Sequence, residues 1–257
     1  MATFLFDNIV FGPVRSRRLG VSLGINLLPL NSKICSFDCI YCECGWTDTT
    51  NKGQLPTREK VKSYLEKKLK EMKEKGDELD VITYAGNGEP TLHPDFPAII
   101  DDSIVLRNKY FPWARIAVLS NSTMLNKQAV VNALKKVDQN ILKLDSAFDS
   151  TVNLINQPRV NITVDELVKN LKTFQGNLIV QTLFLRGDFD GKRIDNTSEE
   201  EVLGWLKLVK AIRPREVMIY TIARDTPAQN LEKVPLKELK KIATRVEAMG
   251  IPTQVSG

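Results

Sequence analysis

Three cysteines fall within eight residues, in the run Cys35-Ser-Phe-Asp-Cys39-Ile-Tyr41-Cys42, a C-x3-C-x2-C spacing. Thiolates crowded this closely, in a chain with the sparse cysteine content of an intracellular protein, are first of all metal ligands. Their number narrows the metal. Structural zinc is normally closed by four ligands, whereas a [4Fe–4S] cluster on three protein thiolates keeps one iron open for a cofactor or substrate. Zinc stays open as an alternative because Cys44 offers a fourth thiol, although Cys42-x-Cys44 leaves little chain to wrap a tetrahedron. A disulfide framework fits poorly: four cysteines in 257 residues are far fewer than a stapled secreted domain carries.

A second constellation is Gly86-Asn87-Gly88-Glu89-Pro90. Its Asn-Gly pair alone would justify a tight turn, and glycines at 86 and 88 also let backbone approach a ligand with no Cβ in the way. Arg15, Arg17 and Arg18 are candidates for a phosphate or carboxylate clamp, since guanidinium forks suit such groups; solvation at the surface accounts for them equally well. His93, the single histidine, stands before Pro94 and reads as a capping or packing residue.

These residues need elements to position them. Val21–Leu28 reads as a first strand stopped by Pro29, and the cysteine loop follows it directly. A helix from about Arg58 to Lys75 keeps an apolar stripe at Val61, Leu65, Leu69 and Met72. Further strands are expected at Asp80–Ala85, Ala114–Leu119, Ile141–Asp145, Leu178–Leu185 and Glu216–Tyr220, with a short last one at Thr253–Val255. Helices fill the gaps: from about Asp95, then Asn126–Val137, Val164–Phe174, Ser198–Ile212 and Leu236–Met249. This alternation predicts an α/β fold with mostly parallel strands. Polar residues stand just past most strand ends: the cysteines, Glu89, Ser120 and Asn121, Asp145, Arg186 and Arg224. Ligands bind at that end in both barrels and open sheets. Six converging ends favour a partial (βα)6 TIM-like barrel over an open sheet. The 27-residue stretch Leu30–Pro56 is the longest expected loop, and long loops of this kind are usually functional.

Composition adds bounds. The net charge is +5, from 36 basic and 31 acidic residues. That is a mild lean toward acidic partners, met as readily by lysine-rich helix surfaces. No signal-type apolar region and no membrane-length stretch stands out, so a reducing cytoplasm and no membrane association are expected. No linker or repeat interrupts the pattern, and residues 1–257 read as a single domain with a short extension over 1–20.

The cysteine loop directly after a first strand, with Tyr41 before the third cysteine, and the Gly86–Glu89 motif ending the second strand together resemble the radical S-adenosylmethionine (SAM) superfamily. The resemblance covers most of the chain. It implies a [4Fe–4S] cluster on Cys35, Cys39 and Cys42, with SAM on the open iron. It further implies reductive cleavage of SAM to a 5′-deoxyadenosyl radical and an external electron donor of flavodoxin or ferredoxin type. By the same resemblance Gly86, Asn87, Gly88 and Glu89 would meet the SAM ammonium, and Ser120 and Asn121 the ribose or carboxylate. Tyr41, Asp145 and Gln181 would face the same mouth. Cys44 would be a spare thiol beside the cluster, its alternatives being a ligand or a hydrogen donor to a substrate radical. Ser16–Gly20, Asn26–Pro29, Leu144–Asp149 and Ile155–Pro158 resemble a branch of iron–sulfur oxidoreductases grouped with wyosine synthase. Archaeal wyosine synthases carry a second cluster on upstream cysteines; no cysteine precedes Cys35 here. The substrate, whether RNA, peptide or metabolite, leaves no mark in the sequence. Two other classes of function stay open: an iron–sulfur electron-transfer or assembly protein, which has no need of a SAM motif, and a zinc-bound RNA-binding module.

Overall fold

The computed structural model describes residues 4–16, 18–50 and 53–257; Arg17, one of the clamp candidates, lies outside them. Strand β1 (Val10–Ser16) pairs antiparallel with β2 (Gly20–Ile25). Helix α1 (Arg58–Lys75) follows the cysteine loop. Then come β3 (Val81–Tyr84), α2 (Phe96–Tyr110), β4 (Arg115–Ser120), α3 (Gln128–Lys136), β5 (Gln139–Lys143), α4 (Asp149–Ile155), α5 (Val164–Lys172) and β6 (Ile179–Leu183). The chain closes with β7 (Leu185–Phe189), β8 (Lys192–Asp195), α6 (Glu199–Ile212), β9 (Glu216–Tyr220), β10 (Leu231–Lys233), α7 (Leu236–Glu247) and β11 (Thr253–Ser256). Among the described residues the main sheet has eight strands in the order β1-β2-β3-β4-β5-β6-β9-β11, parallel from β2 onward and curled into a half-barrel.

Local chemistry explains the elements. Thr57 caps α1 by accepting from the Lys60 N–H, and Gly76 ends it in the left-handed conformation, as a side-chain hydroxyl and a glycine do at the two ends of a helix. The expected stripe Val61, Leu65, Leu69 and Met72 is the buried face. All residues of β3 and β6 are buried, as in a parallel sheet covered on one side by helices and filled on the other. Among the described residues no helix is long and apolar enough to cross a membrane.

The half-barrel is filled in staggered layers, set by the period of two along each strand. Val81, Ala117, Ile141, Ile179 and Met218 form an apolar floor, closed by Leu19. One step toward the carboxyl ends the same strands present Thr83, Leu119, Lys143, Gln181 and Tyr220. The floor is buried and apolar; the layer above it is largely polar and borders cavities.

The structure departs from the sequence reading in three places. The first strand ends at Ile25 rather than Leu28, and β1 precedes it unannounced. Pro13 is tolerated in β1 because that strand is an edge with a register irregularity between Phe11 and Val14, where a missing N–H is not felt. The expected strand Leu178–Leu185 divides at Phe184, after which β7, β8 and β10 build a separate three-stranded antiparallel sheet. The short helix α4 was not expected.

Candidate metal and cofactor centre

The cysteine loop is ordered by backbone contacts and one buried carboxylate rather than by secondary structure of its own. The Ile34 N–H donates to the Asn87 carbonyl (3.0 Å) and the Glu89 N–H to the Ile34 carbonyl (3.1 Å), forming a bridge between Ile34 and Gly88. On the other side the Asp38 N–H donates to the Asn156 carbonyl (2.9 Å) and the Ile40 N–H to Ile155 (3.0 Å). Asp38 accepts from the Lys33 ammonium (3.2 Å), the Arg159 guanidinium (2.9 Å) and the Thr47 N–H (2.8 Å). The Lys33 side chain is 1% exposed. Burial opposes its charge, but Cys42, Cys35, Cys39 and Asp38 outweigh it and hold the ammonium above its usual pKa. A fixed positive charge thus sits beneath the three thiols.

Cys35, Cys39 and Cys42 all border one cavity of about 330 Å³ at the carboxyl ends of the parallel strands. All four cysteines are free. Burial pushes the Cys35 and Cys39 thiols up. Cys42 is held down to about 6, chiefly by a hydrogen bond from the Cys44 thiol, whose own pKa rises for the same reason. Cys44 also approaches the Gly86 carbonyl at 3.3 Å. Among the described residues no three His, Cys, Asp or Glu side chains converge closely enough to hold a single ion. Three soft donors spread along one cavity wall fit a thiolate-ligated cluster, which is wider than one ion. Two side-chain amides approach the sulfurs: Asn121 Nδ2 lies 3.5 Å from Cys35 Sγ and Asn156 Nδ2 lies 3.4 Å from Cys39 Sγ.

The glycine turn lies against this loop. Gly86, Gly88, Glu89, Ser120 and Asn121 border the cavity with the thiols. The room that the glycines make, however, is taken by protein. A Cβ at Gly88 (φ +130°) would lie 1.9 Å from the Ile34 carbonyl oxygen, and one at Gly86 would lie 2.4 Å from Asn26 Oδ1. The glycines therefore permit the turn to lock onto the cysteine loop and the end of β2. Glu89 is 2% exposed. Its carboxylate accepts from the N–H and hydroxyl of Thr91 and from the Asn121 N–H (2.6 Å), while burial raises its pKa. It ties the turn to the end of β4.

Two candidates lie behind the cavity wall. Asn87 is fully buried, its side chain exchanging hydrogen bonds with the Phe6 backbone and donating to the Pro29 carbonyl. Asp145 is likewise buried and accepts from the Tyr41 hydroxyl, Asn156 Nδ2 (2.7 Å), Lys143 Nζ (3.3 Å) and the Leu183 N–H (3.0 Å). Tyr41 and Gln181 do border the cavity. His93 packs structurally, its Nε2–H donating to the Pro56 carbonyl (2.8 Å) while Nδ1 accepts from Asp95.

Lys143, Asn156 and Tyr220 were missed. Lys143 borders the cavity, donates to the Tyr41 hydroxyl (2.7 Å) and has its pKa raised; burial opposes the charge, and Asp145, Tyr220 and Cys39 together outweigh it. Its signal was the period-two series Ile141, Lys143, Asp145, which puts a lysine on an inward face.

The chain matches the family model of the radical SAM superfamily over residues 32–195. A UPF0026 protein of Synechocystis is 32% identical over 86% of this chain and 77% of the relative. A Brachyspira hyodysenteriae protein named GTPase Obg is 33% identical over 93% of this chain, which spans only 33% of that protein. Among solved structures, a radical SAM methyltransferase from Sphaerobacter thermophilus superposes with a TM-score of 0.68 at 15% identity, covering 91% of this chain and 65% of that one. Streptococcus suis SuiB bound to S-adenosylmethionine gives 0.65 at 15% identity, over 91% and 50%. Archaeal TYW1 gives 0.51 at 12% identity, over 88% and 71%. At these identities the structures speak for the fold.

Proposed function

The chain belongs to the radical SAM superfamily, with UPF0026 proteins among its relatives, and we propose that it is a radical SAM enzyme of iron–sulfur oxidoreductase type, residues 1–257 forming one catalytic domain. The observation that carries this reading is the meeting of three free thiols and the glycine turn on one cavity. Cys35, Cys39 and Cys42 would hold a [4Fe–4S] cluster, which when bound with SAM supplies the electron that cleaves the sulfonium to methionine and a 5′-deoxyadenosyl radical. Lys33 offsets thiolate charge from below. Asn121 and Asn156 donate toward Cys35 and Cys39 and fix their orientation. The carbonyls of Gly86 to Glu89, with the side chains of Ser120 and Asn121, would meet the polar end of SAM. Asn87 and Asp145 serve that surface from behind, Asn87 by pinning the turn and Asp145 by orienting Tyr41 and Lys143. Gln181 lies lower, on the substrate side. Four free thiols suit a reducing, cytoplasmic compartment, where a flavodoxin or ferredoxin would deliver the electron. The substrate would be an RNA, a peptide or a metabolite.

Anaerobic reconstitution followed by dithionite and SAM tests the reading. Methionine and 5′-deoxyadenosine should form slowly without substrate. A cluster that assembles but neither binds SAM nor yields 5′-deoxyadenosine would favour an electron carrier.

A further inference from the structure

One cation of the lumen has no part in the chemistry above. Arg18 stands in the turn between β1 and β2, ahead of the amino end of β2, whereas the cysteine loop follows the carboxyl end of that strand. Its side chain reaches past Leu19 into the polar middle layer. There Nη1 donates to Gln181 Oε1 (3.0 Å) and the guanidinium lies over the Tyr220 ring, 4.7 Å from its centroid. Of the five N–H donors of an arginine side chain, this one alone meets a protein acceptor among the described residues.

Of the charged residues near Arg18, Arg15 and Asp225 line the adjoining, larger cavity without an ion pair among the described residues. Lys143 is paired with Asp145, and Arg224 with Glu43 at 2.6 Å. No side-chain carboxylate among the described residues pairs with Arg18. Its charge therefore has no direct ion-pair partner among them, in a confined space where a counter-charge is attracted more strongly than in open water.

Arg18 also stands at a junction. A second cavity of about 850 Å³, walled by the β1–β2 hairpin and the segment 4–6, shares Arg18, Phe6, Leu119, Glu43 and Arg224 with the cysteine cavity. The glycine turn, Ser120 and Asn121 border only the first.

We propose that Arg18 is the subsite for an anionic group, a carboxylate or phosphate, carried by the substrate, which enters through the larger cavity and presents its reacting end toward the cysteines. The proposal rests on the radical SAM reading of the cysteine cavity. Arg18 anchors the substrate's charge at one end of the lumen while the thiols stand at the other. Gln181 holds the guanidinium, Tyr220 stacks on it, and the remaining donors form the fork that such oxyanions accept.

The test is calorimetric titration of the reconstituted protein, saturated with SAM, using inorganic phosphate and, separately, acetate. Wild type should bind one of the two anions, which tells phosphate from carboxylate. Arg18→Gln should weaken that binding about ten- to hundredfold, the loss of a charge-assisted hydrogen bond, with SAM affinity unchanged within about twofold. Arg18→Lys keeps the charge without the fork; it should lose less, and it carries the test if Arg18→Gln does not fold. If the variants lose SAM affinity instead, the guanidinium serves the carboxylate of SAM and the proposal falls. It falls too if neither anion binds wild type, or if wild type and variants bind equally. Failure of the underlying reading is separate: wild type would then bind no SAM before any anion is added, and the anion titrations run without SAM would still judge Arg18.

Discussion

Gly88→Ala probes the joint between the cysteine loop and the glycine turn. The added Cβ would stand 1.9 Å from the Ile34 carbonyl oxygen, a backbone atom that cannot swing aside, and the native φ of +130° is one that L side chains rarely adopt. The conformational strain is about 1–3 kcal/mol. Separating the two strands of the joint also loses the Ile34–Asn87 and Glu89–Ile34 hydrogen bonds, at about 1 kcal/mol each. The sum, about 3–5 kcal/mol, corresponds to a fall in melting temperature on the order of 10 °C for a chain of this size. Gly76→Ala is the control. It too has a positive φ (+73°), but a Cβ there meets nothing within 4 Å, so its cost is about 1 kcal/mol. Melting curves of the two proteins, with iron and sulfide content after anaerobic reconstitution, make the comparison. Gly88→Ala should melt well below Gly76→Ala and hold markedly less iron, because Ile34 is next to Cys35. Equal melting and equal iron would refute the claim that the turn positions the cysteine loop.

Wild type should hold about four irons on three thiolates; Cys35→Ala, Cys39→Ala or Cys42→Ala should abolish the cluster and Cys44→Ala should keep it, and iron analysis showing the reverse overturns the ligand set. Asn156→Leu removes an N–H donor from the Cys39 sulfur and should move the cluster midpoint potential negative, as measured by redox titration followed by electron paramagnetic resonance. Glu89→Ala strips acceptors from the buried N–H groups of Thr91 and Asn121 and should destabilise by about 2 kcal/mol; a wild-type denaturation curve would remove the carboxylate from that joint. Asp102 is bound by Arg58 at 2.7 Å, which with Lys62 holds its pKa below the ordinary carboxylate value. Its stabilisation is present above that ordinary value and is lost as pH falls through the depressed one, so Asp102→Asn should be about 1 kcal/mol less stable than wild type near neutrality and converge with it in acid.

Much of this molecule was legible in its sequence, and the failures are physical. The helix stripes and parallel strands were readable because each has one buried face with a fixed period. The β1 strand was not, since Gly12-Pro13 hides an edge strand whose pairing depends on β2 alone. The β7–β8 hairpin had a signal in Asp190-Gly191, obscured because Leu178–Leu185 has no glycine or proline to mark the division at Phe184. At the site, spacing pointed to the cysteines that meet on the cavity. It could not say that Gly86 and Gly88 make room for Asn26 and Ile34, or that Asn87 and Asp145 turn inward, because those contacts span distant segments. Lys143 and Arg18 come to border one cavity only when the strands curl.

On the proposed reading, the layering of the half-barrel separates what the protein would recognise from what it would use to react. Thr83, Leu119, Lys143, Gln181 and Tyr220 come from five different strands, and their side chains stand between an apolar floor and the thiol-bearing rim. Strand pairing runs through the backbone, so these positions can change identity without altering the register. Thr83 and Leu119 can also change without touching the loops that carry the cysteines and glycines. Lys143 and Tyr220 are exceptions, Lys143 through its bond to Tyr41 and Tyr220 by packing against the apolar cluster of the cysteine loop. A lumen built this way can be re-lettered for a new substrate one strand at a time, with the machinery above it inherited whole.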